Sequence, residues 1–319
     1  MVQPRANRET STMSDTVILV GALRSGTTML RLMLNAHPAL SCPGESDFLF
    51  DHLRAEDDTW RYDRRKMSLD RIYRASPMEL PEDLDGTAAL ARMIGQARRT
   101  PESRPVLVLH RHANEAMTLL PNAKVIRLVR DPRDVARSAI GMGWAGNAFH
   151  GVSLWLTTEA GWADAMARYK PLVHEIRYED LVTHPEATLT DLCAFLGLAF
   201  DPAMLTYDKT STYDKPDARL AYQWRRKLTP RQIRQVEARL GPRLPAAGYT
   251  PSGLPPLRIS QAELLWMRLH NTVITKSRLV RRYGLRNVLQ RNLARMFSLQ
   301  NLEARAQGRM DQITIRYLK

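Results

Sequence analysis

The chain has 319 residues, 44% hydrophobic and 25% charged, with a formal net charge of +14. That length supports a full core without disulfide or metal staples, and its 19 Pro and 16 Gly, spread without a period, exclude collagen-like and low-complexity classes. No run of about 18 apolar residues exists, which excludes a membrane-spanning helix. Cys42 and Cys193 make neither a metal motif nor a disulfide framework, so a reducing, cytoplasmic setting is expected. Residues 1–15 are polar and lack an apolar core, and they read as a disordered lead-in without a secretory signal.

The charge is unevenly placed. From Leu257 to Lys319 there are 13 Lys and Arg against three acids, Glu263, Glu303 and Asp311, a net of +10. Residues 1–256 carry 34 basic and 30 acidic residues, a net of only +4. A nearly balanced body therefore precedes a strongly basic tail, and each needs its own explanation.

Along the body, Val17–Val20 is a short apolar run that predicts a buried strand ending at Gly21. Thr28–Ala36 follows with helix-spaced Met29, Leu30, Leu32, Met33 and Leu34, stopped by His37-Pro38. The stretch 51–104 is polar and weakly periodic, and reads as helices and loops inserted between strands, where substrate recognition is often placed. Val106–Leu109 and Val125–Val129 predict two more buried strands. Asp131 then caps, and Pro132 opens, a helix running to about Ile140. Val173–Arg177 predicts a fourth strand, and helices are expected over 151–169, 186–196 and 230–240. Strands alternating with helices imply a parallel sheet covered on both faces. The expected organisation is an α/β domain over 16–250, a Pro-rich linker at 251–256, and a basic helical extension over 251–319.

The first strand ends in Gly21-Ala-Leu-Arg24-Ser25-Gly26-Thr27-Thr28, the spacing of a phosphate-binding loop in which Thr27 stands where a lysine is usual. The loop physics survives this change, because its N–H groups and the following helix N-terminus still face an anion. Arg24 and the hydroxyls of Ser25, Thr27 and Thr28 remain as ligands. Such a site suits a diester-like 5′ group more than a triphosphate with Mg²⁺, and no spacing in the chain predicts a metal site.

Arg24-Ser-Gly-Thr-Thr28 after an apolar strand resembles the phosphosulfate loop of sulfotransferases that use 3′-phosphoadenosine 5′-phosphosulfate (PAPS). Val129-Arg130-Asp-Pro-Arg-Asp-Val-Ala-Arg-Ser138 is similar to the family's second motif, in which the residues matching Arg130 and Ser138 hold the donor's 3′-phosphate. The segment Arg177-Tyr178-Glu179-Asp180-Leu181 looks like a structural strand end of the family, and Tyr222-Gln-Trp224-Arg225-Arg226-Lys227 like its basic segment. The resemblance spans about residues 17–250 and is strongest to bacterial and tyrosylprotein-type members, through Asn35-Ala-His-Pro38 and Gly44-Glu45. It implies an α/β fold with a P-loop-type parallel sheet flanked by helices, and PAPS as co-substrate without a metal.

The resemblance also supplies two candidate bases for taking the acceptor's proton. Glu45 stands where tyrosylprotein-type members carry a catalytic glutamate, and burial in a cleft would raise its pKa toward the working pH. His112 is the rival, since Leu109-His110-Arg111-His112 follows the second predicted strand, where cytosolic members carry Lys-Thr-His. No lysine occupies that position, so either Arg111 or His110 would hold the bridging oxygen. Arg24 would stabilise transition-state charge. The chain is thus expected to move a sulfuryl group from PAPS to a hydroxyl or amine. An ATP-dependent small-molecule kinase and a non-catalytic membrane-associated module with a vestigial nucleotide site are the alternatives.

In the tail, residues 261–302 carry helix-spaced apolar residues interleaved with Arg281, Arg282, Arg286, Arg291 and Arg295. A basic amphipathic helix of this kind reads either as an element for an anionic membrane surface or as a stripe packed on the body or a second copy. Few aromatics interleave the arginines, which argues against nucleic acid. A membrane-surface tail would suit a small-molecule or lipid-like acceptor and a cytoplasmic protein peripheral at the inner membrane face. Acceptor recognition is expected in 51–104 and Gly141–Leu156.

Overall fold

The computed structural model describes Met13 and residues 15–57, 59–297 and 299–318, so most of the predicted lead-in lies outside the described residues. Asp15 is already tied down, by an ion pair to Arg98 at 2.6 Å.

Among the described residues seven strands form, in chain order β1 (Val17–Gly21), β2 (Leu40–Ser41), β3 (Leu53–Glu56), β4 (Thr59–Tyr62), β5 (Arg104–Leu109), β6 (Lys124–Val129) and β7 (Val173–Arg177). Five make one sheet in the order β2-β5-β1-β6-β7, with every pairing parallel. All four predicted core strands are among them. All five residues of β1 are buried, as a central parallel strand covered on both faces requires. Side chains alternate across the sheet. Ile18, Val20, Leu107, Leu109 and Val125 join one core with the helices Gly86–Gln96 and Ala113–Leu119. Val17, Leu19, Val106, Val108 and Ile126 join the other with Thr27–Ala36 and Pro185–Leu196.

The inserted stretch contains the expected short helices, and also an antiparallel hairpin, β3–β4, which the sequence did not announce. Its residues Arg54, Ala55 and Glu56 are all exposed, so no period-2 alternation marks the strand.

By compactness the chain groups into two units, one running to Arg130 with Trp155–Tyr222, the other comprising Asp131–Leu154 with Gln223 onward. A boundary drawn at 250 follows the change in charge; the compact grouping follows packing. The first unit contains the whole sheet. The second is helical and centres on Arg133, whose side chain is 2% exposed. Its guanidinium donates to Asp131 at 2.9 and 2.8 Å, to Glu237 at 2.7 Å and to the Thr250 carbonyl at 3.1 Å, and lies over the Trp224 ring at 3.7 Å. Asp131 also caps Pro132–Gly141 as predicted, accepting from the Arg133 amide. Asp134, fully buried, accepts the amides of Gln223 and Trp224. The Arg-Asp-Pro-Arg-Asp run is therefore a scaffold for the segment carrying Trp224.

In the tail, Leu285–Met296 and Gln300–Leu318 form a helical hairpin that buries Val288, Ala294, Ala306 and Met310. Before them, Gln261–Tyr283 is held to the second unit through the Gly146 amide, which donates to Asn271 Oδ1 at 2.7 Å.

Removing Arg133 would take the guanidinium partner from the fully buried Asp131 and from the half-buried Glu237. Arg133→Ala is expected to destabilise the protein by about 3–5 kcal/mol, read as a lowered denaturant midpoint. Arg133→Lys should recover little of that loss, because a point charge cannot replace the planar fork.

Candidate active site at the strand ends

The chain reverses its direction of travel across the sheet at β1, whose neighbours β5 and β6 lie on opposite sides, and ligands of such sheets bind beyond the carboxyl ends of the strands at that point. Three strand ends deliver the candidate residues: the loop after β1, His110–His112 after β5 and Arg130 after β6.

The loop after β1 has the shape its glycines predict. Gly26 has φ +99°, and a Cβ there would stand 2.3 Å from Cδ2 of Tyr178, so no other residue fits. Arg24 also takes a left-handed backbone, φ 75°. The helix Thr27–Ala36 begins directly after this turn with no side-chain cap and no acidic residue in its first turn. Its N-terminal dipole and amides therefore face the loop without a built-in anion. Ser25 departs from expectation. Its hydroxyl is buried and donates to the Ala22 carbonyl at 2.5 Å, so its proton braces the turn and is not offered to a ligand. Thr27 is also buried, whereas Arg24 and Thr28 are half-buried.

Arg130 is anchored from two directions. It donates to the carbonyls of Arg24 at 3.1 Å and Leu220 at 3.2 Å, and its guanidinium lies 3.9 Å from the centre of the Tyr178 ring. One aromatic ring thus touches both the loop glycine and the arginine. The sequence marks Tyr178 only as structural; a tyrosine at a strand end in a buried, charged setting was the available signal. Ser138 lies on Pro132–Gly141 in the second unit, as do Trp224 and the exposed Arg225 and Arg226.

Glu45 lies beside β5, bridged to Val108. Its Oε1 is 3.8 Å from Nε2 of His110, at ion-pair range and beyond a hydrogen bond. His110 is almost wholly buried. Its Nδ1 lies 2.8 Å from the Gly21 carbonyl, which can only accept, so Nδ1 carries a proton and Nε2 is the nitrogen turned to Glu45. That Nε2 is buried without a hydrogen-bond partner. Asp47 pins the same turn, accepting the amides of His110 at 3.0 Å and Arg111 at 3.1 Å. His110 holds the Glu45 carboxyl below the ordinary value, against the opposing effect of burial. Burial works against a charged His110 ring, but Glu45 and Asp47 outweigh it and raise its pKa. Glu45 was expected to be raised; pairing with His110 reverses the sign, leaving it ionised at neutral pH.

His112 is set differently. Its Nε2 is 2.8 Å from Asp51 and its Nδ1 3.4 Å from Glu115. Burial opposes charge on the ring, yet these two carboxylates push its pKa up to about 9. At neutral pH both nitrogens carry protons, and an imidazolium has no lone pair to accept another. The expectation of His112 as base is not met. Arg111 is likewise occupied, its guanidinium forked onto Asp51, with Nε at 2.7 Å and Nη2 on the second oxygen. Arg111 is thus committed to a carboxylate, which displaces the expectation that it holds the donor.

A family model described as the sulfotransferase family matches residues 16–202. The chain belongs to the sulfotransferase family, and its chemistry is sulfuryl transfer. It is 27% identical over 269 residues to protein-tyrosine sulfotransferase 1 of Danio rerio, covering 75% of this chain and 74% of that one. It is 25% identical over 268 residues to protein-tyrosine sulfotransferase 2 of Gallus gallus, covering 75% and 71%. Its fold is similar to the sulfotransferase domain from the Synechococcus PCC 7002 olefin synthase, with a TM-score of 0.51 at 22% identity over 70% of this chain and 93% of that one.

The His112–Asp51 pair predicts a pH-dependent stability. The raised His112 pKa contributes stability that is full below 6.5 and disappears as pH rises through about 9. Asp51, held below its ordinary 3.8, contributes stability lost in acid. The Tm difference between wild type and His112→Gln should be largest between about pH 4 and 6.5 and vanish above about pH 9.

Proposed function

We propose that the donor is PAPS and that Glu45 takes the acceptor's proton, with His110 as the cation beside it. The observation that carries this reading is the Glu45–His110 pair, anchored to the first residue of an anion-binding loop through the Gly21 carbonyl. The residues fit the co-substrate: an uncapped helix N-terminus and a half-buried Arg24 suit its 5′ phosphosulfate, and Arg130 its 3′-phosphate. The family resemblance adds Ser138 as a second 3′-phosphate donor and Thr28 as a hydroxyl to the 5′ group. When bound, PAPS supplies the sulfuryl group, and its S–O bond to the 5′-phosphate breaks as the acceptor oxygen bonds to sulfur.

Glu45, ionised at neutral pH, accepts the hydroxyl proton in that step. Arg24 and the loop amides offset the charge that grows on the leaving phosphate oxygen. A charged His110 keeps Glu45 deprotonated before the acceptor arrives, and supplies positive charge where the chain has no lysine. The relatives' names specify protein tyrosine as their acceptor; for this chain, phenolic and lipid-like hydroxyls are the first classes to screen.

Adenosine 3′,5′-bisphosphate at about 100 times its Kd should stabilise the protein by about 2.7 kcal/mol without metal, a shift of about 4 °C in Tm. Arg130→Ala should abolish that shift. Stabilisation by ADP with Mg²⁺ alone would overturn the donor assignment. Glu45→Gln should keep the bisphosphate shift while lowering transfer by about 10²–10⁴-fold; a Glu45→Gln enzyme of wild-type rate would remove Glu45 as the base.

A further inference from the structure

Two helices of the tail each pack on one side and leave the other to solvent. On Gln261–Tyr283, Met267 is buried and Asn271 receives the Gly146 amide, whereas Leu265, Trp266, Leu269 and Val273 are 56–68% exposed. On Leu285–Met296, Val288 and Ala294 are buried, whereas Leu285, Leu289, Leu293, Met296 and the following Phe297 are 46–67% exposed. Steps of three and four residues keep each set on one side of its helix, so these are two continuous apolar ridges. Contiguous exposed apolar surface of this kind marks an interaction site.

Charge selects the occupant. The tail's net charge is +10, and its three acids are already engaged. Glu263 accepts the Ser260 amide, Glu303 pairs with Arg295, and Asp311 is buried and bonded to Gln307. The exposed Lys276 continues the first ridge, eleven residues after Leu265, and the exposed Arg286 flanks the second, seven residues before Leu293. A second copy of the chain would set like charge against like, which costs several kcal/mol when such groups are juxtaposed. No helix among the described residues is long and apolar enough to cross a membrane. Leu, Trp and Phe on one side of a helix with Lys and Arg around it is the composition of an element lying in a lipid interface.

We propose that the ridges of Gln261–Tyr283 and Leu285–Met296 dock on an anionic lipid bilayer. The leucines and aromatic rings enter the boundary between headgroups and acyl chains, and Lys276 and Arg286 meet the lipid phosphates. Apolar burial and charge attraction then act together, and the second falls with ionic strength.

The test is sedimentation of the full chain with vesicles of phosphatidylcholine, with and without phosphatidylserine, at low and high salt. Binding is expected with phosphatidylserine and should weaken as salt rises. Lys276→Ala with Arg286→Ala should weaken it roughly 30-fold, from about five-fold per basic residue at the surface. Leu289→Glu with Leu293→Glu should abolish it; both positions are exposed, and an unchanged Tm in each variant establishes that the fold is intact. A wild-type protein that stays in the supernatant with phosphatidylserine at low salt overturns the proposal. So does binding that the Leu289→Glu, Leu293→Glu protein retains, or a wild-type dimer that this variant converts to monomer while vesicles are ignored.

Discussion

The Tyr178 ring makes the anion loop and the arginine of the next motif a single unit. Gly26 can approach the ring only because it lacks a Cβ, and its positive φ turns the following amides toward the helix axis. On the same ring, the Arg130 guanidinium stacks at 3.9 Å and then reaches the Arg24 carbonyl of the loop itself. Loop, ring and fork thus fix one another across the ends of β1, β6 and β7. Such mutual fixing is what a charged ligand requires, because donors held in place before binding need no reorganisation when it arrives.

The two histidines after β5 illustrate how little of a side chain's chemistry its type decides. They are two residues apart, both partly or fully enclosed, and both raised in pKa. His110 has one nitrogen committed to a backbone carbonyl and the other turned to Glu45. His112, at φ 63°, is turned instead to Asp51 and Glu115 and is saturated by them. The left-handed residue at the end of the turn separates their directions. His110 therefore faces Glu45 across 3.8 Å as an ion-pair neighbour, with no hydrogen bond between them. The resemblance implies a lysine at this strand end in cytosolic members; here the turn carries an imidazole instead, whose charge is set by the carboxylates around it.

The sequence carries the strands, the loop and both family motifs because each is local. A buried parallel strand reads as a continuous apolar run, and the glycine spacing of the loop follows from backbone geometry. What it does not carry is which partner each charged side chain meets. His112 and Arg111 looked available because Asp51 lies some sixty residues away and has no motif of its own. Ser25 looked like a ligand, and only the turn shows that its proton goes to Ala22. The resemblance points to Glu45, yet the sign of its pKa shift follows from its pairing with His110, whose ring is anchored on the Gly21 carbonyl, a contact between the ends of β1 and β5 invisible to any pattern. Arg133 read as one charge among several, although burial and four polar contacts make it the centre of the second unit.

The tail inverts the usual arrangement of a surface helix, which buries its apolar stripe and solvates its polar side. Gln261–Tyr283 is attached largely by polar groups: Asn147 donates to the Met267 carbonyl, Asn271 accepts from Gly146, and Arg278 donates to the Ile140 carbonyl at 2.6 Å. Each of these contacts satisfies a backbone group, so the attachment needs little of the helix's leucine and valine. An attachment of this kind leaves apolar area uncovered, and with its three acids engaged the basic excess around that area is what the proposed anionic surface would meet. Hydrophobic burial on the protein's own core would have used the stripe without needing thirteen basic residues. The two features together, a stripe withheld from the core and a charge excess around it, are accounted for by a surface that is apolar beneath and anionic above.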